Sequence, residues 1–440
     1  MAAASALRLV HASASTHENL PLTDRPRPTP RTRPTLYGPN IELLIADGII
    51  PFGFELLARD DDPAENNSNR VLRAIIEISR AMGSQGVIEG QYNESQYEES
   101  EGEEIFHVGW LQNVCRKKEG TLHACAGACG AILGGGSKDE IEKLRRYGLY
   151  VGMVQGILSK VDERKEWPAK EVNKLRDLAL KELKDFNQAK QAIPIRQPLA
   201  VFEPMRHLIL SAPQTSAPAL CIAACELVGG HRNQAMAAAS ALRLMHASTS
   251  THENLPLTDR PRPRRRTRPT LYGPNIELLI ADGMIPFGFE LLARDDDPAE
   301  NNSNRVLRAI IEISRAMGSQ GVIEGQYNES QYEESEGEEI FHVGWLQNVC
   351  RKKEGTLHAC AGACGAILGG GSEDEIEKLR RYGLYVGMVQ GILSKVDERK
   401  EWSVKEVNKL RDLALKELKD FNQAKVKTIS ILVETRFCNL

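Results

Sequence analysis

Four short patterns in this 440-residue chain carry side chains that could do chemistry. Asp295-Asp296-Asp297 and its twin Asp60-Asp61-Asp62 set three carboxylates in a row, the hard oxygen ligands that divalent cations prefer. Three consecutive residues cannot share one helical face, and Pro298 follows directly. A helix-entry loop favoured by the N-terminal dipole is the better account. Cys360 and Cys364 in HACAGACGAILGG (Cys125 and Cys129 in a second occurrence) stand four apart, as do Cys221 and Cys225 in LCIAACELVGG. That spacing puts both thiols on one helical face. Zinc would want four ligands, and His358, two residues before Cys360, points to another face. The surrounding Ala and Gly suggest close helix–helix contact instead, so packing or an interface is preferred over metal. The fourth pattern is basic: six arginines fall between Arg260 and Arg268. It has no interleaved aromatics, and its prolines deny it a helix. A solvated loop is preferred over a nucleic-acid arm.

The elements that must carry these residues are bounded by bulk composition. The chain is 41% hydrophobic and 26% charged with a net charge of −4. This is an ordinary soluble composition without the global basic field that nucleic-acid binding usually needs. No apolar stretch reaches the roughly 18–20 residues of a membrane span. Nine cysteines, mostly in helical context, argue for free thiols rather than a disulfide framework.

The chain also says one thing twice. Residues 1–190 match 236–425 at a constant offset of 235 with eight differences, among them Thr29/Arg264 and Pro30/Arg265. Residues 191–235 precede the second copy and have no counterpart before the first. The expected organisation is an N-terminally truncated copy over 1–190, a near-complete one over 191–425, and a tail over 426–440. Residues 1–15 recur at 236, so they read as part of a folded unit rather than a targeting peptide. Val71, Leu72, Ile75, Ile78 and Met82 recur at helical spacing, and Gly83 is a plausible stop. Val172, Leu175, Ala179, Leu183 and Phe186 repeat the pattern, and β-branched alternation is nearly absent. The fold class expected is all-α.

THENLPLTD, GSQGVIEGQ, GAILGGGSEDEIEKLRRYG and CIAACELVGG, in that setting, resemble the trans-prenyltransferase (polyprenyl synthase) family. Within it they are most similar to plant small subunits of heteromeric geranyl diphosphate synthase. The resemblance implies an isoprenoid synthase-type helical bundle, here duplicated in one chain. Active family members join an allylic diphosphate to isopentenyl diphosphate. The leaving diphosphate is held by magnesium bridged to two aspartate-rich motifs, which neutralise charge as the carbocation forms.

Against that pattern the first motif is degraded. Its positions hold Glu253, Asn254 and Asp259, and Glu18, Asn19 and Asp24 in the first copy. One carboxylate has become an amide, and the arginine run follows where more acid is expected. At the second motif stand Ser394, Lys395 and Asp397, or Ser159, Lys160 and Asp162. The basic isopentenyl diphosphate segment is replaced by Gln214 and Thr215. Lys353 and Gln326 survive at family-like positions for residual substrate binding.

The resemblance therefore implies a non-catalytic regulatory subunit with no metal or other cofactor of its own. It would pair with a catalytic geranylgeranyl diphosphate synthase large subunit, which carries the magnesium, and bias the product toward geranyl diphosphate. Cys221, Cys225, Cys360, Cys364, Cys125 and Cys129 are then expected at the partner interface. The competing expectation is a weakly active prenyltransferase; a nucleic-acid partner or a membrane span is not expected. Plastid localisation follows from the resemblance alone, since no transit peptide is seen in this chain. A fused pair allows two arrangements: the copies pair with each other as an internal pseudo-dimer, or two tandem genes have been joined.

Overall fold

Local signals open and close the helices where the residues dictate. Gly38 is extended and Pro39 takes the first helical position, where its missing N–H costs nothing; Gly273 and Pro274 repeat this. Ser137 and Glu140 form a reciprocal capping box: the Ser137 N–H donates to Glu140 Oε2 at 2.7 Å, and the Glu140 N–H donates to Ser137 Oγ at 3.3 Å. Ser372 and Glu375 do the same in the second copy.

The computed structural model describes residues 2–22, 37–59, 68–99, 108–160, 166–184, 199–257, 271–294, 303–334, 343–395 and 401–434. In the first copy the helices are α1 (Ala2–Glu18), α2 (Pro39–Ala58), α3 (Ser68–Met82), α4 (Val87–Glu99), α5 (Val108–Cys115), α6 (Thr121–Leu133), α7 (Lys138–Lys160) and α8 (Glu166–Lys184). Next come α9 (Leu199–Ser211) and α10 (Ala217–Leu227). The second copy continues with α11 (Asn233–Glu253), α12 (Pro274–Ala293), α13 (Ser303–Met317), α14 (Val322–Glu334) and α15 (Val343–Cys350). It ends with α16 (Thr356–Gly369), α17 (Glu373–Lys395), α18 (Glu401–Glu417) and α19 (Gln423–Glu434). A π-helical turn joins α5 to α6 (Arg116–Gly120) and α15 to α16 (Arg351–Gly355). Among the described residues every regular element is helical, as expected. The one β feature there is an isolated antiparallel bridge between Leu22 and Leu257.

The amphipathic pattern is realised: Val71, Leu72, Ile75, Ile78 and Met82 are all buried, and Gly83 ends α3. Residues 426–434, set apart as tail, are instead part of α19. The Tyr382 hydroxyl donates to the Ile429 carbonyl at 2.7 Å, so a boundary at 425 would cut a packed helix. Asp60–Asp62, Asp295–Asp297 and Arg260–Arg268 lie outside the described residues.

The copies pack on each other, α2 against α13 and α12 against α3. Each contact recurs with the copies exchanged. Arg80 Nε donates to Glu290 Oε1 and Arg315 Nε to Glu55 Oε1, both at 2.8 Å. Ser68 pairs with Asn304 and Ser303 with Asn69, both at 2.5 Å. Phe54 stacks on Phe289 near the pseudo-axis with centroids 4.3 Å apart. Reciprocity of this kind marks an isologous, two-fold contact.

Candidate functional site

Glu253 is the last residue of α11, and three other elements bring lysines and a carboxylate to it. The π-turn re-phases its helix so that neighbouring Lys352 and Lys353 reach different carboxylates on α14. Lys352 pairs with Glu324 at 2.7 Å, and Lys353 pairs with Glu329 at 2.7 Å and also with Glu253. Lys395, at the end of α17, takes the other oxygen of Glu329 at 2.6 Å. Gln326 donates to Glu253 Oε1 at 3.1 Å. The first copy repeats the network: Lys118 joins Glu18 and Glu94, the latter at 2.7 Å, and Lys160 also binds Glu94.

The ion pairs of the cluster set two carboxylates against two ammoniums. Burial alone would raise the Glu253 carboxyl, yet Lys353 beside it holds it below its usual range. Burial would likewise lower the Lys353 ammonium, but Glu253 and Glu329 push it well above its ordinary value. Both remain charged. Asn254, where a family aspartate is expected, turns back to its own helix and donates to Ser250 O at 2.7 Å; Asn19 does the same to Ser15 O. Ser394 and Ser159 donate to Gly391 O and Gly156 O on their own helices. A magnesium–diphosphate group needs carboxylate oxygens turned to the ion. Here those oxygens face lysine ammoniums, so the described residues do not fit it.

The structure thus brings together Glu253, Lys353, Gln326 and Lys395, and likewise Glu18, Lys118 and Lys160. Glu329 and Glu94, which bridge the lysines, were not anticipated. Asp24, Asp162, Asp259 and Asp397 lie outside the described residues.

Gly325 permits the close crossing of α14 over the π-turn. A Cβ there would lie 2.6 Å from Lys353 Cγ and 3.1 Å from its backbone nitrogen. Gly325→Ala is expected to cost about 1–3 kcal/mol by overpacking, despite the better helix propensity of Ala. Chemical denaturation measures it, with Gly344→Ala as control because a Cβ there meets open space. Equal stability of Gly325→Ala and the parent would contradict the packing described.

The six cysteines at positions 125, 129, 221, 225, 360 and 364 are all buried. The sulfurs of Cys360 and Cys364 are 3.7 Å apart, and Cys364 donates to Ala309 O at 3.6 Å. Cys125, Cys129 and Ala74 O repeat the arrangement. Cys225 donates to His231 O at 3.4 Å, and burial pushes its thiol up to about 11. Within this chain the thiols pack helices against one another.

A second charged cluster lies on the pseudo-axis, where each imidazole meets carboxylates from both copies. His17 Nδ1 is 2.7 Å from Asp282 and its Nε2 is 3.3 Å from Asp47. His252 Nδ1 is 2.9 Å from Asp47 and its Nε2 is 3.3 Å from Asp282. A carboxylate at each ring nitrogen calls for a proton on both, so two imidazoliums balance two aspartates. Burial would lower both histidines, yet the aspartates raise His17 to about 10 and His252 to about 9. His17, Asp47 and Asp282 could also approach one metal ion. In this structure the same side chains stand in the histidine–aspartate ion pairs just given. The sequence signal was a lone carboxylate inside the apolar run LLIADGII, which demands a partner.

Two helices supply the carboxylates of this cluster, and a lysine-bearing turn and a third helix supply its ammoniums, within an all-α bundle of the isoprenoid synthase type. Comparison with known proteins narrows this: residues 200–392 match the polyprenyl synthetase family, and the chain belongs to that family. It is 53% identical over 247 residues to heterodimeric geranylgeranyl pyrophosphate synthase small subunit 2, chloroplastic, of Cannabis sativa, covering 56% of this chain and 85% of that protein. Small subunit 1 of the same plant is 50% identical over 251 residues, covering 55% of this chain and 79% of that protein. The crystal structure of geranyl diphosphate synthase small subunit from Antirrhinum majus superposes with a TM-score of 0.50 at 55% identity. It covers 55% of this chain and 91% of that one.

Proposed function

We propose that the chain is a non-catalytic regulatory small subunit of a heteromeric geranyl(geranyl) diphosphate synthase. It pairs with a catalytic large subunit and shifts that subunit's product toward geranyl diphosphate. The observation that carries this is the Glu253–Lys353–Glu329–Lys395 network, which occupies with ammonium groups the place where the family's chemistry needs metal-facing carboxylates. The small-subunit relatives support the same reading. Magnesium then belongs to the large subunit, and the plastid is the compartment, in keeping with the chloroplastic relatives. In this reading 1–190 is a truncated prenyl synthase-like unit, and 191–425 with the packed α19 is a fuller one.

Chain-length bias is physically reasonable, because a contact across helices can shift the helices that line a partner's product cavity. The test is a product assay with a plant geranylgeranyl diphosphate synthase large subunit, with and without this chain, together with co-purification. A shift toward the ten-carbon product in a co-purifying complex is expected. An unchanged product distribution with no complex would refute the proposal.

A second reading, a weakly active prenyltransferase, draws on the convergence of Glu253, Lys353 and Gln326 in one cluster. It predicts condensation by the chain alone.

A further inference from the structure

The packing of the copies brings one histidine and one aspartate from each to a single buried point. His17 lies in the last turn of α1 and Asp47 within α2, while His252 lies in the last turn of α11 and Asp282 within α12. Ligand atoms of His17, Asp47 and Asp282 all fall within 4.8 Å of one another. His252 stands against the same two carboxylates, at 2.9 and 3.3 Å, and its ring centroid is 5.5 Å from that of His17. Two imidazoles on one tetrahedral zinc, with Zn–N distances of about 2.0–2.1 Å, hold their centroids roughly 5 Å apart.

The donors and their surroundings suit that ion. Imidazole nitrogen together with carboxylate oxygen is a zinc-type set, whereas magnesium takes oxygen alone. All four side chains belong to residues at most 6% exposed. Leu20, Leu43, Leu255 and Leu278, each three or four positions along the chain from one of them, are fully buried in one cluster. Apolar neighbours of this kind limit the access of water to a metal site. Ser13 Oγ donates to the Ala46 carbonyl at 2.8 Å and so ties α1 to α2 beside Asp47. Charge balances in either of two ways: two aspartates are neutralised by two imidazolium protons or by one divalent cation.

We propose that His17, Asp47, His252 and Asp282 form a structural zinc site that joins the two copies. On loading, Zn²⁺ gains a bond to one nitrogen of each imidazole and one oxygen of each carboxylate. A proton leaves each imidazole for solvent, the aspartates stay ionised, and the net charge of the cluster stays at zero. Without zinc, the ion pairs described above hold the same four residues together. The inference rests on the packing of the copies and not on the product-biasing role.

The test strips the full chain with a chelator, dialyses it near neutral pH and titrates it with zinc chloride by calorimetry, in buffers of different ionisation enthalpy. The expected result is one zinc per chain, about two protons released per zinc, and a higher melting temperature in the loaded chain. Asp282→Asn and His17→Gln should each lose more than roughly a hundred-fold in affinity, since losing an outer partner alone costs about 10–100-fold. Far-UV circular dichroism checks that each variant is folded. Should neither fold, X-ray absorption of the zinc-loaded parent decides, with a shell of nitrogen and oxygen that includes two imidazoles expected. Sulfur in that shell would assign the ion to the cysteines and overturn the proposal. Absence of stoichiometric uptake, uptake without proton release, or equal affinity in the parent and a folded variant would overturn it as well.

Discussion

Replacing Asp47 with Ala is expected to lower the stability of the whole chain by about 3–5 kcal/mol near neutral pH, because it leaves two imidazoles sharing one carboxylate at a buried interface. Both copies depend on that ring, since Asp47 contacts His17 of its own copy and His252 of the other. The pH dependence has a definite sign. The folded-state values of about 10 for His17 and about 9 for His252 stand above the ordinary 6.5. Their contribution is fully present below about 6.5 and is lost as pH rises through 9 and 10. Asp47 and Asp282 are held below the usual carboxylate range. Burial alone would raise them, but the histidines outweigh it. Their contribution is present above about 4 and is lost as pH falls further. Stability should therefore plateau between about pH 4 and 6.5 and decline on the alkaline side by on the order of 3 kcal/mol. Urea unfolding across this range measures it, and Asp47→Ala should flatten the alkaline decline. Parallel curves for parent and variant would contradict the ring as a charged latch between the copies.

Lys353→Met is the second large effect. It leaves Glu253 and Glu329 facing each other with only Lys395 to balance them. The side chain of Glu329 is 8% exposed and that of Glu253 is 32% exposed, so solvent screens part of the cost. An expected loss of about 2–3 kcal/mol corresponds to a melting temperature lower by about 5–10 °C in a unit of this size. The double variant Lys353→Met with Glu329→Gln should recover most of that loss, because the cost lies in the uncompensated charge rather than in lost packing. Failure of the double variant to recover would place the effect in the π-turn's geometry instead.

The helical class and the duplication were legible in the sequence, since periodicity and self-similarity are properties of local strings. Lys395 was legible as a substitution at a motif position, though its binding to Glu329 was not. Glu329 sits in QYNESQYEE, where acids and amides read as a solvated face. Only the crossing of α14 over the π-turn turns that residue inward. The cysteines were placed correctly on one helical face. That α10 and α13 would cover this face could not be read from spacing, because spacing fixes which residues share a face and not what lies against it. The His17–Asp282 and His252–Asp47 pairs join segments more than 200 residues apart in sequence and exist only because the copies pack on each other. The tail was misjudged for the same reason: KVKTISILVE has no strong helical stripe of its own and is positioned by Tyr382 and α10.

The central claim is that lysines have closed the site at which the family activates its allylic substrate. The most direct measurement incubates the purified chain, with no partner, with radiolabelled isopentenyl diphosphate, an allylic diphosphate and magnesium, and then counts extractable prenyl product. Product at the level of the no-protein blank is the predicted result. Magnesium-dependent product that scales with the amount of chain would show that the Glu253–Lys353–Glu329–Lys395 network opens to metal, and would contradict the regulatory reading at its foundation.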